Sequence, residues 1–259
     1  MSLLCIDVGN THAHFGVVGP AGAPMMDAVP TPALDDPATG LAPHLARVRA
    51  DHPSLEGVAF CSVVPDATDR LRRVLGEGWP VFQLTHACAL GVPVTYPRPA
   101  EIGQDRLANA AGARTLAEGA AVVIDLGTAV TFDIITAQGG YEGGIIAPGL
   151  AVMRAYLHER TAQLPRLDES LAVTGAIGRT TAEAMRIGTV VGFQGMIQAL
   201  LDAVLAELAQ RGGPPPTVLA TGGDAGRLLG RLRPAPRVVP DLTLRGLAAT
   251  WRLKFPKRK

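Results

Sequence analysis

Apolar positions along this chain fall into two repeated blocks, each opened by a hydrophobic run that ends in the same short polar phrase. Leu4-Cys5-Ile6 leads into Asp7-Val8-Gly9-Asn10-Thr11, and Val122-Val123-Ile124 leads into Asp125-Leu126-Gly127-Thr128-Ala129. The carboxylates stand 118 positions apart in a chain of 259 residues, so each copy heads about half of it. A second apolar-rich run follows each phrase, Ala13 to Val18 and Val130 to Ile135. Run, tight polar turn and second run predict two strands joined by a hairpin turn in each half.

The spacing elsewhere predicts helices over Leu41 to Ala50 and Asp66 to Leu75, the latter capped by Asp66, with strands at Gly57 to Ser62 and Val81 to Leu84. A Pro/Gly-rich turn is expected after Val18. The proline-bearing segment Gly91 to Gly103 reads as loop, and a helix is predicted from Asp105 to about Glu118, ended by Gly119. The second half repeats the plan. Strands are predicted at Ala121 to Asp125, Thr131 to Thr136 and Gly139 to Ile146, then helices at Leu150 to Glu159 and Thr181 to Gln210. A strand at Val218 to Ala220 then leads into Thr221-Gly222-Gly223-Asp224. Strands alternating with helices predict an α/β chain whose mixed sheets are covered by helices. Gly188, Gly192 and Gly195 recur inside the long helix, each costing about 1 kcal/mol relative to alanine. Close packing is therefore expected on that face, against another helix of this chain or a second copy.

Composition narrows the partners. With 47% hydrophobic residues the chain can bury a substantial core, in one large domain or two small ones. A net charge of +1 argues against a nucleic-acid surface, and the basic end Lys254 to Lys259 reads as a solvated tail. No apolar run reaches the roughly 18 residues of a membrane span, and Met1-Ser2-Leu3 lacks the basic region of a signal peptide. Cys5, Cys61 and Cys88 read as free thiols of a reducing compartment. A cytoplasmic protein without membrane or nucleic-acid partners is expected. The six histidines show no metal-ligand spacing, although His12 and His14 share one side of a strand.

The polar phrases carry the candidate chemistry. Glycine lets a phosphate approach the backbone N–H groups closely, and the small polar side chain adds a hydrogen bond. Aspartate repels phosphate but can hold the Mg²⁺ that binds it. One copy alone reads equally well as an unliganded hairpin; two copies, with a glycine turn after a late strand, describe a nucleotide gripped between two lobes. In Glu101-Ile102-Gly103-Gln104-Asp105-Arg106, Asp105 stands where a helix N-cap belongs. A cap also holds a carboxylate rigid, as a general base requires. Arg106 reads as an anion-binding residue or a surface ion pair.

The ordered set Asp7-Val8-Gly9-Asn10-Thr11, Ser62-Val63-Val64-Pro65, Gly103-x-Asp105-Arg106, Asp125-x-Gly127-Thr128, Gly143-Gly144-x-Ile146-x-Pro148-Gly149 and Gly178-Arg179-Thr180-Thr181 resembles the type III pantothenate kinases of the actin/sugar kinase/Hsp70 superfamily. The resemblance runs on to Leu242-Thr243-Leu244-Arg245-Gly246-Leu247. It implies two duplicated actin-like (ribonuclease H-like) lobes, residues 1–118 and 119–259, with an ATP cleft between them. The implied activity is ATP-dependent phosphorylation of pantothenate at its 4′-hydroxyl, the first step toward coenzyme A. On this likeness Asp7, Val8, Gly9, Asn10, Thr11, His12, Ala13 and His14 form the first phosphate loop, with Asp7 holding Mg²⁺ through water. Thr128 supplies the second phosphate contact, and Gly222 and Gly223 receive the nucleotide. Asp105 is the catalytic base, Tyr96, Gly103, Gln104, Asp105 and Arg106 line the pantothenate pocket, and Asp125 binds a monovalent cation, K⁺ or NH₄⁺. A homodimer is implied, Thr181 reaching pantothenate from the neighbouring subunit. The family usually has Asn where this chain has Thr180, so the motif leaves Thr180 as the other candidate. The competing functions are another small-molecule kinase of this fold and a non-catalytic transcriptional accessory factor.

Overall fold

The structure, a computed structural model, describes residues 2–19 and 27–256. Both hydrophobic runs become central strands of five-stranded sheets. The first sheet holds β1 (Ser2–Val8), β2 (His12–Val18), β3 (Asp27–Pro30), β4 (Leu55–Ser62) and β5 (Val81–Gln83) in the order β3-β2-β1-β4-β5. The second holds β6 (Ala121–Leu126), β7 (Ala129–Thr136), β8 (Gly140–Pro148), β9 (Thr217–Thr221) and β10 (Arg237–Val238) in the order β8-β7-β6-β9-β10. In each, the central strand pairs antiparallel with the strand that follows it and parallel with the fourth. The duplication predicted from the pattern is present strand for strand, as a mixed α/β fold.

The period of two along each central strand sorts its side chains between two layers. Leu4, Ile6 and Val8 point to an outer core with Phe15, Leu45 and Leu71, under helices α1 (Ala42–Asp51) and α2 (Pro65–Leu75). Val122, Ile124 and Leu126 point to a second outer core with Phe193 and Ile197, beneath α4 (Leu150–Glu159), α5 (Thr181–Gln210) and the short α6 (Ala225–Leu228). The opposite parity, Leu3 and Cys5 with Ala121 and Val123, faces a shared inner core built around α3 (Gln104–Arg114) and α7 (Leu242–Lys254). These helices cross with backbones in contact: a Cβ at Gly246 would overlap the carbonyl of Ala108, and one at Gly112 that of Leu242. Trp251 of α7 also stacks edge-on against Phe82 of β5, 6.3 Å between centroids.

Several expectations change. β3 was not anticipated, and the Pro/Gly-rich turn before it lies at residues 20–26, outside the described residues, as do Lys257 to Lys259 of the basic tail. Helix α3 begins at Gln104 with Gly103 as its N-cap and stops at Arg114, short of Gly119. Asp105 is thus a first-turn residue and not the cap. Asp66 likewise falls inside the first turn of α2, capped by Val64 without a side-chain bond, because Pro65 already supplies the helical φ at the first position. The expectation that no segment has the length and apolarity of a membrane span also fails. α5 meets both criteria, since between Arg186 and Glu207 only Asp202 is charged. Its Phe193, Ile197 and Leu201 pack on the second sheet. Its glycine face is open, with nothing within 4 Å of a Cβ added at Gly188, Gly192 or Gly195, so the close packing expected there is not made among the described residues.

Candidate active site

The polar phrases lie side by side where the two sheets meet. β1 and β2 are joined by Gly9, Asn10 and Thr11, β6 and β7 by Gly127 and Thr128. Each glycine N–H closes its turn, Gly9 onto His12 O at 3.0 Å and Gly127 onto Ala129 O at 3.1 Å. The hydroxyls of Thr11 and Thr128 meet at 2.9 Å, linking the lobes at one point. A residue from elsewhere buttresses each turn. Thr31 donates its N–H to Thr11 O and its hydroxyl to Gly9 O. Gly149 donates its N–H to Thr128 O so closely that a Cβ there would overlap the carbonyls of Gly127 and Thr128.

Strand parity aims Asp7 and Asp125 into the inner layer. Across the ladders Asp7 is flanked by Cys61 and His14, and Asp125 by Thr221 and Thr131. The Cys61 thiol donates to Asp7 Oδ1 at 3.2 Å, a weak donor. Asp125 Oδ2 instead accepts from the Asn109 amide at 2.9 Å, itself anchored by Thr243 of α7 at 2.8 Å. Asp105 enters from α3, with Oδ1 taking the N–H of Arg106 at 2.8 Å. Gly103 is required here because a Cβ would overlap that carboxylate oxygen. Asp7 senses both other carboxylates, and Asp125 senses Asp105. Burial, then the charge of Asp105 and to a smaller extent that of Asp125, push the Asp7 carboxyl up to about 7, against the Cys61 bond. Burial first, with Asp105 adding to it, raises Asp125 to about 6 against the Asn109 bond. Burial also raises Asp105 above the usual carboxylate range. Such a cluster is poised to receive cations and to accept a proton.

The other sequence-predicted residues sort by geometry. Val8 and Ala13 bury their side chains in the outer core, so only their backbones belong to the turn. His12 is exposed with its ring 6.0 Å from that of His14. His14 keeps a buried Nδ1 without a partner among the described residues, and burial, then His12, lower its pKa. Gln104 serves as a latch, its oxygen taking the Ser62 N–H at 3.0 Å and the Gln83 amide at 3.2 Å. Tyr96 lies over Gly143 of β8, 3.1 Å from the position of an added Cβ. Gly222, at φ +90°, leaves no room for a side chain between Leu126 O (2.5 Å) and Asp125 Oδ1 (2.6 Å), whereas Gly223 is open. Thr180 is the N-cap of α5, accepting from Glu183 N at 3.2 Å while Glu183 accepts from Arg179 N at 2.7 Å. Thr181, exposed, has no side-chain hydrogen bond among the described residues.

Sequence reasoning missed Thr31, Asn109, Thr243, Asp133 and Tyr141. Asp133 had a usable signal, a carboxylate in the apolar strand Ala129–Thr136 at the same parity as Thr131. It is fully buried and accepts from Arg106 Nε at 2.7 Å and Tyr141 OH at 3.1 Å. Burial pushes its carboxyl up to about 7, opposed by Arg106.

Comparison with known proteins fits this arrangement. A family model described as type III pantothenate kinase matches residues 3–203. The type III pantothenate kinase of Akkermansia muciniphila is 41% identical over 95% of this chain and 97% of its own length. That of Streptomyces avermitilis is 37% identical, covering 96% and 97%. Among solved structures, a Campylobacter jejuni protein described as a candidate Baf family transcriptional activator superposes with a TM-score of 0.59 at 18% identity, covering 97% of this chain and 98% of that one. A ROK family glucokinase from Streptomyces griseus, in complex with glucose and AMPPNP, gives 0.51 at 18% identity, covering 96% and 98%. At that identity the two structures establish a common fold and nothing finer.

Proposed function

The chain belongs to the type III pantothenate kinase family, and from that premise we propose how its own residues carry phosphate from ATP to pantothenate on the way to coenzyme A. The observation behind this reading is that Asp7, Asp105 and Asp125 lie within electrostatic reach of one another, Asp7 and Asp125 directly before turns that Thr11 and Thr128 bridge. We take the lobes as residues 1–118 and 119–259. Phosphoryl transfer asks mainly for charge neutralisation and an aligned nucleophile. The backbone N–H groups of Asn10 and Thr11, which have no acceptor among the described residues, and the hydroxyls of Thr11 and Thr128 face the phosphates, with Gly222 and Gly223 receiving the nucleoside. Asp105, whose basicity burial raises, accepts the proton of the pantothenate 4′-hydroxyl, and general-base catalysis of this kind is worth about 10²–10⁴-fold. Tyr96, Gly103 and Arg106 bound the pocket for the rest of pantothenate.

The carboxylates fit the expected ions. Asp7, whose hydrogen-bond partner is a thiol, is the less compensated of the two and suits Mg²⁺, which takes one or two carboxylates alongside substrate phosphates. Asp125, half-satisfied by Asn109, suits K⁺ or NH₄⁺. Bound there, these ions would offset phosphate charge; among the described residues no three acidic, His or Cys side chains are placed to hold a metal ion by themselves, so substrate phosphates or water complete each shell.

The assembly proposed is a homodimer with Thr181 as the residue offered to the neighbouring pocket, Thr180 being committed to its cap. What supports this is the open glycine face of α5, beside Val191 at 47% exposure. The test mixes Asp105→Asn and Thr181→Val homodimers under conditions that allow subunit exchange, with pantothenate-dependent ATP consumption as the readout. A composite site gives mixed dimers one site with both defects and one with neither, so activity rises above either parent. No recovery after verified exchange refutes the composite site. An absence of pantothenate-dependent turnover in the wild type refutes the kinase reading itself.

A further inference from the structure

The Arg106 guanidinium is more constrained than a surface ion pair requires. Its Nε donates to Asp133 Oδ1 at 2.7 Å and its Nη2 to Phe132 O at 3.0 Å. The same Asp133 oxygen takes the hydroxyl of Tyr141, whose ring centroid lies 6.0 Å from the guanidinium carbon. On the opposite strand Gly144 leaves the space: a Cβ there would lie 2.8 Å from Arg106 Nη2. Burial works against the charge of Arg106, yet Asp133 more than offsets it, so the guanidinium stays protonated throughout the working range. Asp133 is completely buried, while 13% of the Arg106 side chain remains exposed.

The donor count defines what that exposed part can do. A guanidinium carries five N–H bonds in a rigid fork. The side-on pair, on Nε and Nη2, is consumed by Asp133 and Phe132. The end-on pair, one N–H from each Nη, has no partner among the described residues. That pair has the geometry for bidentate capture of a carboxylate. It sits one residue from Asp105, at the mouth of α3.

We propose that Asp133, backed by Tyr141, is a positioning residue that locks Arg106 so its end-on edge receives the carboxylate of the substrate, making this buried pair the determinant of selectivity for an anionic acceptor. This rests on the reading of Arg106 as a pantothenate-pocket residue. Asp133 acts through Arg106 and not on the reacting atoms. Its loss therefore weakens substrate capture more than turnover at saturation.

The test compares kcat/KM for pantothenate with that for the neutral alcohol in which CH₂OH replaces the carboxylate. Arg106→Gln should erase most of the preference for the acid, by about 10²-fold, as a charged bidentate contact is lost. Asp133→Asn should lower the same ratio by about 10-fold, through KM for pantothenate with kcat largely kept, and Tyr141→Phe by a few-fold. Circular dichroism and Tm establish that each variant is folded. If Arg106→Gln leaves the ratio unchanged, the reading of Arg106 fails. If Arg106→Gln collapses the ratio while folded Asp133→Asn does not change it, the positioning role is overturned. Should Asp133→Asn fail to fold, an unchanged ratio in Tyr141→Phe overturns it instead.

Discussion

The two turns have nearly the same backbone and different chemistry. Asp7 and Asp125 occupy the same place on equivalent strands, each one residue before the strand end and pointing into the same inner layer. The flanking rows match position for position: Cys61, Asp7, His14 in one lobe and Thr221, Asp125, Thr131 in the other. Yet one carboxylate leans on a thiol and the other on an amide anchored to α7. Duplication supplies the symmetric cradle, and the neighbours then decide what each half holds. Asp105 has no counterpart in the repeated phrase, and in the proposed function it is the carboxylate that acts on substrate.

The largest effect expected is at that unpaired member. Asp105→Asn keeps an oxygen for the Arg106 N–H, so the fold and Tm should hold while kcat falls by about 10²–10⁴-fold. Steady-state turnover with verified ATP binding checks this, and near wild-type turnover would leave Asp105 a structural first-turn residue. Next in size is the glycine pair behind Asp125. Gly222→Ala combines a left-handed φ with a Cβ pressed onto Leu126 O and Asp125 Oδ1. It should cost about 1–3 kcal/mol of stability and loosen ATP binding. Gly223→Ala, in open space, should stay within about 0.5 kcal/mol of wild type. Equal effects in chemical denaturation would show that the turn tolerates what its geometry forbids.

A smaller effect separates the two carboxylates by pH. Both folded-state pKa values lie above the ordinary 3.8, so each group lends stability below about pH 4 and loses it as pH rises through its folded value, about 7 for Asp7 and about 6 for Asp125. In Mg²⁺-free buffer with a bulky organic cation, wild-type Tm should therefore keep falling between pH 6.5 and 8. Asp7→Asn should make that stretch shallower without levelling it, because Asp133, also raised to about 7, still titrates there, whereas Asp125→Asn should act mainly on the stretch below it. Parallel profiles for the two variants would contradict the difference in their surroundings.

The repeated phrase made Asp7, Asp125 and both turns legible, because local pattern and local chemistry coincide there. Asp105 was legible as a residue and wrong as a cap: Gly103 already supplies the extended backbone of the cap position, and Asp105 curls back over it. Asn109, Thr243 and Thr31 were illegible for a different reason. Thr243 meets Asn109 across 134 positions, and a bond made only by tertiary packing leaves no mark on local periodicity. The C-terminal motif from Leu242 was recognised without its role, which is to be the helix α7 that packs on α3 and steadies Asp125 through Asn109. The glycines of α5 led to an expectation of close packing that no contact among the described residues meets.

Whether equivalent carboxylates serve different ions is read from calorimetric affinity for a non-hydrolysable ATP analogue. Mg²⁺ and K⁺ are titrated separately over the wild type, Asp7→Asn and Asp125→Asn. Asp7→Asn should raise the Mg²⁺ needed for half-maximal affinity by about 10-fold or more, the scale of losing one charged ligand contact, with the K⁺ requirement unchanged. Asp125→Asn should do the reverse. If both variants shift both ions alike, or exchange their ions, the division of labour between the two turns is wrong.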